Sequence, residues 1–375
     1  MIFSDLQFKL NSNLKNILGK RVSDKYVIIE CDDWGSQRMP SSDTFDYLTK
    51  KGLDINDGRY NLYDSLENPE DLEALFFTLK KYQGSDGSSP VFTAFTSLTN
   101  PDFIKIKMDN FNNYHYYNLD KSYDLFSNSK RMRELWRQGV SDGIFVPQLH
   151  GREHIAVQFW LKQLKKNNQD LLDGFEKGFV FVKDKTVSQT IRNFRAELYY
   201  ENDQQKEFIR KKLFDAIVLF KEYFGFNATA FAATNGIFDS DFEQVLVESG
   251  VSYLASPLFP KKETGKSRYD GLIRKFGQIG ASGMIYYLRN CAFEPNGPEY
   301  KGIEQTLQQV EAAFRWDKPA VISTHRVNFV GGLSVKNRES GLNELKKLLS
   351  AILITWPDVK FTTVELLCKK ESIGS

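Results

Sequence analysis

The stretch Val27-Ile28-Ile29-Glu30-Cys31-Asp32-Asp33-Trp34-Gly35-Ser36 decides the fold prediction. An apolar run typical of a buried strand, Tyr26–Cys31, ends in two adjacent carboxylates followed by a glycine turn. In α/β folds, active sites lie at the carboxyl ends of the strands. Two charges there are costly unless they are paired or bound to a metal. Because successive side chains of a strand point apart, one Asp is expected to bind a metal while the other faces substrate or water. The alternative is an ordinary pair of turn residues.

Outward from this stretch, short β-branched or aromatic runs alternate with longer helical patterns. Such alternation predicts an α/β fold, either open or barrel-like. The predicted strands are Tyr26–Cys31, Val91–Phe95, Gly143–Pro147, Thr229–Ala233, Ser252–Ala255, Met284–Leu288, Ala320–Thr324 and Lys360–Thr363. Apolar residues at helical spacing predict helices over Pro69–Tyr82, Lys206–Phe224, Ser240–Ser249, Gly302–Phe314 and Arg338–Ile354.

Two stretches interrupt this pattern. Thr96–Leu125 is polar and aromatic without a clean period, and we expect an insertion there. Pro257–Gly277 is rich in Lys, Gly and Pro, which predicts an excursive loop. No internal repeat is visible, so a single domain over residues 1–375 is the preferred interpretation.

Composition excludes several classes of protein. The net charge is +2 with both signs interspersed, which gives no basis for nucleic acid or an anionic membrane as the main partner. No stretch approaches the roughly 20 apolar residues of a membrane span. The polar N-terminal residues have no signal-peptide pattern, and the three scattered cysteines suit a reducing compartment. We therefore expect a cytoplasmic protein.

A second chemical signal is His150-Gly151-Arg152-Glu153-His154, which follows a strand-like run. The chain has only four His, and on a helical turn this spacing would put both imidazoles on one face. Neutral imidazole suits zinc, cobalt, nickel or iron. The alternative is a pair of unrelated surface histidines. Together with the Asp pair, the motif favours a metal site.

The third signal is His325, at the end of the buried-looking run Ala320–Thr324. It is the third strand end to carry a titratable group, and the three groups could converge at one barrel mouth. Taken alone, a hydrogen-bonded structural His is the commoner explanation. The remaining candidate, His115, lies in the polar insertion, where a structural or rim role is expected.

In this order the motifs resemble those of the polysaccharide deacetylase family, also called the NodB-homology or carbohydrate esterase 4 group. The resemblance runs from Tyr26 to about Thr363 and is specific at three short motifs. It implies a distorted (β/α) barrel, usually of seven strands. It also implies that Asp32 is the catalytic base, that Asp33, His150 and His154 bind the metal, and that His325 is the general acid.

The chain departs from the family pattern in its third motif. The family has an Arg there that holds the base Asp, whereas Phe231–Gly236 keeps the Gly without the Arg. Arg38, Arg152 and Arg326 are candidates to replace it, because they lie close to the other motifs. The family's Asp-Trp motif, which orients the late His, has no clear counterpart near Ser256–Pro260.

The resemblance implies a metal-dependent hydrolase that removes N- or O-linked acetyl groups from a saccharide, most simply with Zn²⁺ and with Co²⁺ or Ni²⁺ as alternatives. Trp34 and Arg326 are the predicted substrate-binding residues. Two alternatives are an amide hydrolase for a non-sugar substrate and a carbohydrate-binding relative without turnover. The second is disfavoured because every predicted ligand and both acid–base candidates are present.

Overall fold

A parallel sheet centred on the first predicted strand organises the structure, which is a computed structural model describing residues 2–55, 58–187, 191–262, 268–269 and 273–374. The strands are β1 (Tyr26–Trp34), β2 (Phe92–Thr96), β3 (Thr99–Pro101), β4 (Tyr116–Asn118), β5 (Phe145–Leu149), β6 (Ala230–Ala232), β7 (Tyr253–Ser256), β8 (Lys261–Lys262), β9 (Arg268–Tyr269), β10 (Gln278–Ile279), β11 (Ile285–Leu288), β12 (Cys291–Ala292), β13 (Ala320–His325) and β14 (Lys360–Phe361).

Helices alternate with these strands. They are α1 (Ile2–Leu14), α2 (Ser42–Lys50), α3 (Arg59–Tyr63), α4 (Pro69–Leu79), α5 (Phe103–Met108), α6 (Leu119–Phe126), α7 (Ser129–Ser141), α8 (Val157–Leu164), α9 (Gln169–Glu176), α10 (Asp203–Phe224), α11 (Glu243–Glu248), α12 (Glu304–Arg315), α13 (Val335–Thr355) and α14 (Val364–Lys370). Short 3₁₀ turns cover Thr234–Gly236, Ser240–Phe242 and Arg326–Asn328.

The strand ladder returns to the stretch of chain on which it begins. Its parallel strands follow the order β11-β7-β6-β5-β2-β1-β13-β12, while β10 pairs antiparallel with β11 at one edge and β14 pairs parallel with β1. Only Arg289 and Asn290 separate β11 from β12, so one interrupted strand pairs with β7 through its first half and with β13 through its second. With this strand counted once, the described residues form a distorted seven-stranded parallel barrel. The predicted fold class is confirmed.

The side chain of Asn290 bridges the interruption. Its Oδ1 accepts a hydrogen bond from the Val321 backbone N–H at 2.8 Å, and its Nδ2 donates to the Pro319 carbonyl at 2.9 Å. The Val321 N–H belongs to β13 and the Pro319 carbonyl lies just before it. A continuous neighbouring strand would form hydrogen bonds with these two backbone groups. An amide side chain, which carries both a donor and an acceptor, thus satisfies them where the ladder is broken.

All eight predicted strands are present, with boundaries shifted by a few residues. The predicted helix Ser240–Ser249 is instead a 3₁₀ turn followed by α11. Within Thr96–Leu125, short elements replace irregular chain: the antiparallel pair β3–β4 and the helices α5 and α6. The predicted loop Pro257–Gly277 lies partly outside the described residues. Among the helices that are described, none is long and apolar enough to cross a membrane.

Burial explains why β1 lies at the centre. All nine of its residues are buried, and it pairs with β2 on one side and β13 on the other. One face packs into a core that includes Phe92, Phe145 and Ile322. The opposite face packs with Phe95 and Tyr287. A strand covered on both faces is the expected environment for a continuous apolar run.

Candidate metal centre and active site

The Asp pair lies on a bulge at the end of β1. The register between β1 and β2 shifts between Cys31 and Trp34, and Asp33 has a positive φ of 77°. A bulge redirects side chains that would otherwise alternate. Asp32 and Asp33 therefore both line one cavity of about 410 Å³, instead of pointing to opposite faces of the sheet. Both carboxylates are buried, at 6% and 2% exposure.

The next turn requires glycine. Gly35 also has a positive φ, of 75°, and a Cβ there would lie 2.3 Å from the Ser97 carbonyl oxygen. Its backbone N–H donates to Glu67 Oε1 at 3.0 Å. The glycine that follows the Asp pair in the sequence thus allows the chain to leave the bulge close to the neighbouring strand.

Asp33, His150 and His154 come together as predicted. One ligand atom from each lies within 4.8 Å of the others, and all three side chains are buried. Asp33 Oδ1 is 3.2 Å from His154 Nε2 and 3.6 Å from His150 Nε2. Two imidazoles and one carboxylate are a ligand set that suits a transition metal and leaves coordination positions open.

Hydrogen bonding and burial prepare the two imidazoles to act as ligands. His150 Nδ1 lies 2.7 Å from the Ala232 carbonyl oxygen, so this nitrogen carries the proton and Nε2 presents a lone pair towards Asp33. Burial lowers the pKa of His154 to about 4, against the opposing effect of Asp33, so its imidazole is neutral at physiological pH. A neutral imidazole is the form that binds a metal.

The segment between the two histidines is a loop, not the helical turn whose geometry the sequence analysis assumed. Helix α8 begins only at Val157. Gly151 has a φ of 100°, and a Cβ on it would lie 1.7 Å from Glu197 Oε2. The Arg152 backbone N–H donates to Glu197 Oε1 at 3.0 Å. A contact with a distant carboxylate therefore shapes this loop.

That carboxylate belongs to a buried charged cluster. Lys212 is 2% exposed, and its Nζ lies 3.1 Å from Glu153 Oε1 and 3.2 Å from Glu197 Oε1. Burial raises the pKa of Glu197 to about 7, although Lys212 opposes this. Glu153, which lies between the histidines in sequence, thus contacts the interior cluster and does not line the cavity.

Asp32 is held by an arginine that the sequence analysis did not single out. Arg289 Nη1 and Nη2 donate to Asp32 Oδ2 and Oδ1 at 2.6 and 2.8 Å, and its Nε donates to Glu30 Oε2 at 2.6 Å. Burial alone would raise the pKa of Asp32, but the Arg289 guanidinium outweighs it and lowers this pKa. The hypothesis that Arg38, Arg152 or Arg326 holds Asp32 is therefore wrong.

The three candidate arginines contact carboxylates other than Asp32, and Arg326 pairs with Asp64 and Glu67. Arg38 Nη2 is 3.2 Å from Asp33 Oδ2, so it pairs with the other carboxylate of the Asp pair. Arg152 donates to Glu153 and to Asp215. Arg289 directly follows the predicted strand Met284–Leu288. The same strand-end rule that selected the Asp pair and His325 would have found it.

His325 faces Asp32 across the cavity. Its Nε2 is 4.0 Å from Asp32 Oδ2, and its Nδ1 is 2.5 Å from Glu294 Oε1. Burial by itself would lower the pKa of His325, but the Glu294 carboxylate raises it to about 9. Arg59 and Asn328 hold the other oxygen of Glu294. His325 is therefore protonated at neutral pH, and Glu294 supplies the orienting carboxylate that the sequence analysis did not find.

Trp34 and Arg326 lie in the interior, outside the residues that line the cavity. Trp34 is 0% exposed and packs edge-on against Trp136 and Phe145, with ring centroids 6.3 and 4.9 Å away. Arg326 is also fully buried and pairs with Asp64 and Glu67. Neither side chain is available to a ligand, so the structure corrects their predicted role as substrate-binding residues.

The remaining predicted residues lie as follows. Asn235 and Gly236 of the altered third motif line the cavity, and Asn235 has a positive φ of 59°. Tyr60 lines it too, with its ring edge-on to His325 at 5.5 Å. His115 lies apart from the cavity lining, 37% exposed and 3.0 Å from Asp109 Oδ2, where the sequence analysis expected a structural or rim residue.

No protein-family model matches the chain, and no curated protein matches it in sequence. Among solved structures it is similar to a variant of the peptidoglycan deacetylase PdaC from Bacillus subtilis, with 9% identity, 94% of each chain covered and a TM-score of 0.37. An allantoinase has 10% identity over 92% of this chain and 89% of its own, with a TM-score of 0.43.

A third similar structure is a 4-alpha-glucanotransferase from Thermococcus litoralis, with 11% identity and a TM-score of 0.43. The match covers 94% of this chain and only 40% of that enzyme. Each of these three structures has a TM-score below 0.5 with this chain, and the activity is therefore inferred from the chemistry of the chain's own site.

Proposed function

We propose that this protein is a metal-dependent hydrolase that removes acetyl groups from a saccharide. One observation carries the proposal: a three-residue ligand set, a carboxylate with a lowered pKa and an imidazole with a raised pKa line the same cavity. Asp33, His150 and His154 are the proposed ligands. Asp32 is held ionised, His325 is held protonated, and both face the same space.

The residues of the ligand set fit a divalent transition metal. Each imidazole presents Nε2 towards Asp33 Oδ1, and the His150 tautomer is fixed by the Ala232 carbonyl. Zinc is the simplest choice, and cobalt or nickel would suit the same donors. When bound, such a metal makes a water molecule acidic near neutral pH and polarises the acetyl carbonyl.

The chain's own residues would supply the proton transfers. Asp32 accepts the proton of the attacking water as the new carbon–oxygen bond forms. Arg289 keeps this carboxylate ionised and fixes its orientation through two hydrogen bonds. As the bond to the sugar nitrogen or oxygen breaks, His325 donates a proton to the leaving atom. The products are acetate and the deacetylated sugar, and no covalent enzyme intermediate is needed.

An amide hydrolase for a non-sugar substrate would use the same groups, so the substrate class rests on the resemblance to the deacetylases. A cytoplasmic location, a single domain over residues 1–375 and an acetylated saccharide as the substrate remain predictions from the sequence.

Metal content and acetate release test the proposal together. We expect about one transition metal per chain in the wild type and its loss in a His150→Ala/His154→Ala variant. Asp32→Asn should keep the metal and lose acetate release from acetylated sugars, because the base is neutral while the ligands remain. Wild-type protein that takes up no zinc or cobalt would refute the hydrolase, and full turnover by Asp32→Asn would refute the role of Asp32.

A further inference from the structure

Each carboxylate of the Asp pair has its own arginine. Arg289 contacts both oxygens of Asp32, at 2.6 and 2.8 Å. Arg38 contacts Asp33, the proposed metal ligand, with Nη2 3.2 Å from Oδ2. The other oxygen, Oδ1, faces the two histidines. The two oxygens of Asp33 therefore have different partners.

Arg38 is buried beside a second carboxylate and two aromatic rings. It is 2% exposed, and its Nε lies 3.4 Å from Asp64 Oδ2. The guanidinium lies 4.7 Å from the ring centre of Phe181 and 5.5 Å from that of Tyr60. Ring faces attract a cation. The charge beside Asp33 Oδ2 is thus confined by a carboxylate and two aromatic rings.

A second arginine holds the carboxylate behind Arg38. Arg326 Nη2 donates to Asp64 Oδ1 at 2.9 Å and to the Ser36 carbonyl at 2.7 Å. Its Nη1 donates to Glu67 Oε2 at 2.6 Å. Because Ser36 belongs to the turn that follows the Asp pair, these contacts tie the backbone after Asp33 to the same buried network that positions Arg38.

We propose that Arg38 is a positioning residue that restricts Asp33 to binding through a single oxygen, and that it thereby biases the site towards zinc over oxygen-preferring cations such as Mn²⁺. The inference rests on the proposed function, because it requires a metal at Asp33, His150 and His154. In this role Arg38 acts on the metal preference through the orientation of Asp33, and no contact between Arg38 and the substrate is required.

The physical reason lies in what different cations require. Mn²⁺ and similar hard cations favour oxygen ligands, whereas two imidazoles and one carboxylate oxygen already suit zinc. A carboxylate can offer one or both oxygens to a cation. With Oδ2 held against a fixed guanidinium, the second oxygen is withheld. Removing the guanidinium frees Oδ2 to bind the cation, and this should strengthen the binding of Mn²⁺ more than that of Zn²⁺.

The test compares Zn²⁺ and Mn²⁺ dissociation constants in the wild type and in Arg38→Met, each measured by competition with a chelator. We expect the ratio of the Mn²⁺ to the Zn²⁺ constant to fall by at least about tenfold, the scale of changes made next to metal ligands. A purely structural role would weaken both metals alike. An unchanged ratio would therefore overturn the proposal, whatever happens to the absolute affinities.

Arg289→Met is the matched control, because it removes a partly buried arginine from the neighbouring carboxylate and leaves both oxygens of Asp33 as they are. Its ratio should remain that of the wild type, and a tenfold fall there would also overturn the proposal. Should Arg38→Met not fold, Arg38→Lys provides the test: it keeps the charge without the planar fork, the ratio should fall below that of the wild type, and an unchanged ratio would overturn the proposal. If the wild type binds neither metal, the proposed function fails. If it binds zinc and the ratio does not respond, only the role of Arg38 fails.

Discussion

Glu294→Gln should move the basic limb of the pH–activity profile to lower pH. Glu294 Oε1 lies 2.5 Å from His325 Nδ1 and raises the pKa of His325 to about 9. Glutamine keeps the size of the side chain and an acceptor oxygen, but it removes the charge. Burial then acts without this opposition, and the pKa of His325 should fall to its ordinary value of 6.5 or below.

The size of the effect follows from the protonated fraction of His325. At pH 8, a group with a pKa of about 9 is roughly 90% protonated, whereas a group with a pKa of 6.5 is about 3% protonated. Because only protonated His325 can donate to the leaving group, the variant should lose about 30-fold of its kcat/KM at pH 8 and much less at pH 6.

The assay is acetate release between pH 5 and pH 10, with Glu299→Gln as the matched control because Glu299 is an exposed carboxylate on the same segment. The control should keep the wild-type profile. A basic limb that stays near pH 9 in Glu294→Gln would contradict this prediction, since the proton on His325 would then not depend on this carboxylate.

Stability should change over the same pH window. A histidine whose pKa is raised on folding stabilises the folded state fully below its unfolded pKa of about 6.5, and this stabilisation is lost as pH rises through about 9. The pH-dependent destabilisation by Glu294→Gln should therefore be about 2–3 kcal/mol near pH 6. This figure allows for solvent screening at His325, whose side chain is 30% exposed. It should vanish near pH 10. Urea unfolding at both pH values measures it.

Three further predictions follow from the packing of the site. Arg289→Met should raise the pKa of Asp32 and move the acidic limb of the pH–activity profile to higher pH. It should also lower the free energy of unfolding in urea by about 3–5 kcal/mol, because it leaves the buried carboxylates of Asp32 and Glu30 without their arginine. An unmoved acidic limb would contradict this. Gly151→Ala should lose bound metal, since its Cβ would lie 1.7 Å from a carboxylate oxygen, whereas Gly143→Ala, with a similar positive φ and nothing within 4 Å, should keep it; equal metal content in the two variants would exclude the clash. Trp34→Phe should lower the melting temperature and leave the KM for substrate unchanged, because the ring is 0% exposed; a raised KM would show contact with substrate.

The strand pattern was predictable because buried parallel strands are apolar on both faces, and this signal is local in sequence. The end of β1 was less so. The apolar run stops at Cys31, yet the strand continues to Trp34. A bulge with a positive φ at Asp33 lets the Asp pair remain in the ladder while both side chains face the cavity. Bulges depend on the neighbouring strand, which the sequence around Asp33 does not reveal.

The proposed metal ligands could be predicted from residue type and position, whereas the residues that support them could not. A spacing of four between His150 and His154 suits a helical turn, but the loop conformation depends on Glu197, which is more than 40 residues away from both. Arg289 directly follows a predicted strand and could have been selected by that position, but the carboxylates that it contacts, Asp32 and Glu30, are more than 250 residues away. In each case the missing information is a contact between distant segments.

The interrupted strand Ile285–Ala292 divides the proposed chemistry between two parts of the chain. The three proposed metal ligands lie within the first 154 residues, whereas Arg289, Glu294 and His325 come from the segments that close the ladder. During synthesis, the metal-binding side chains therefore emerge well before the groups that set the charge of the base and the acid. A substitution of Asn290 that disrupts the junction between β11 and β12 should accordingly reduce turnover before it releases a bound metal. A protein that still holds its metal but has lost its activity would be the mark of an unclosed barrel.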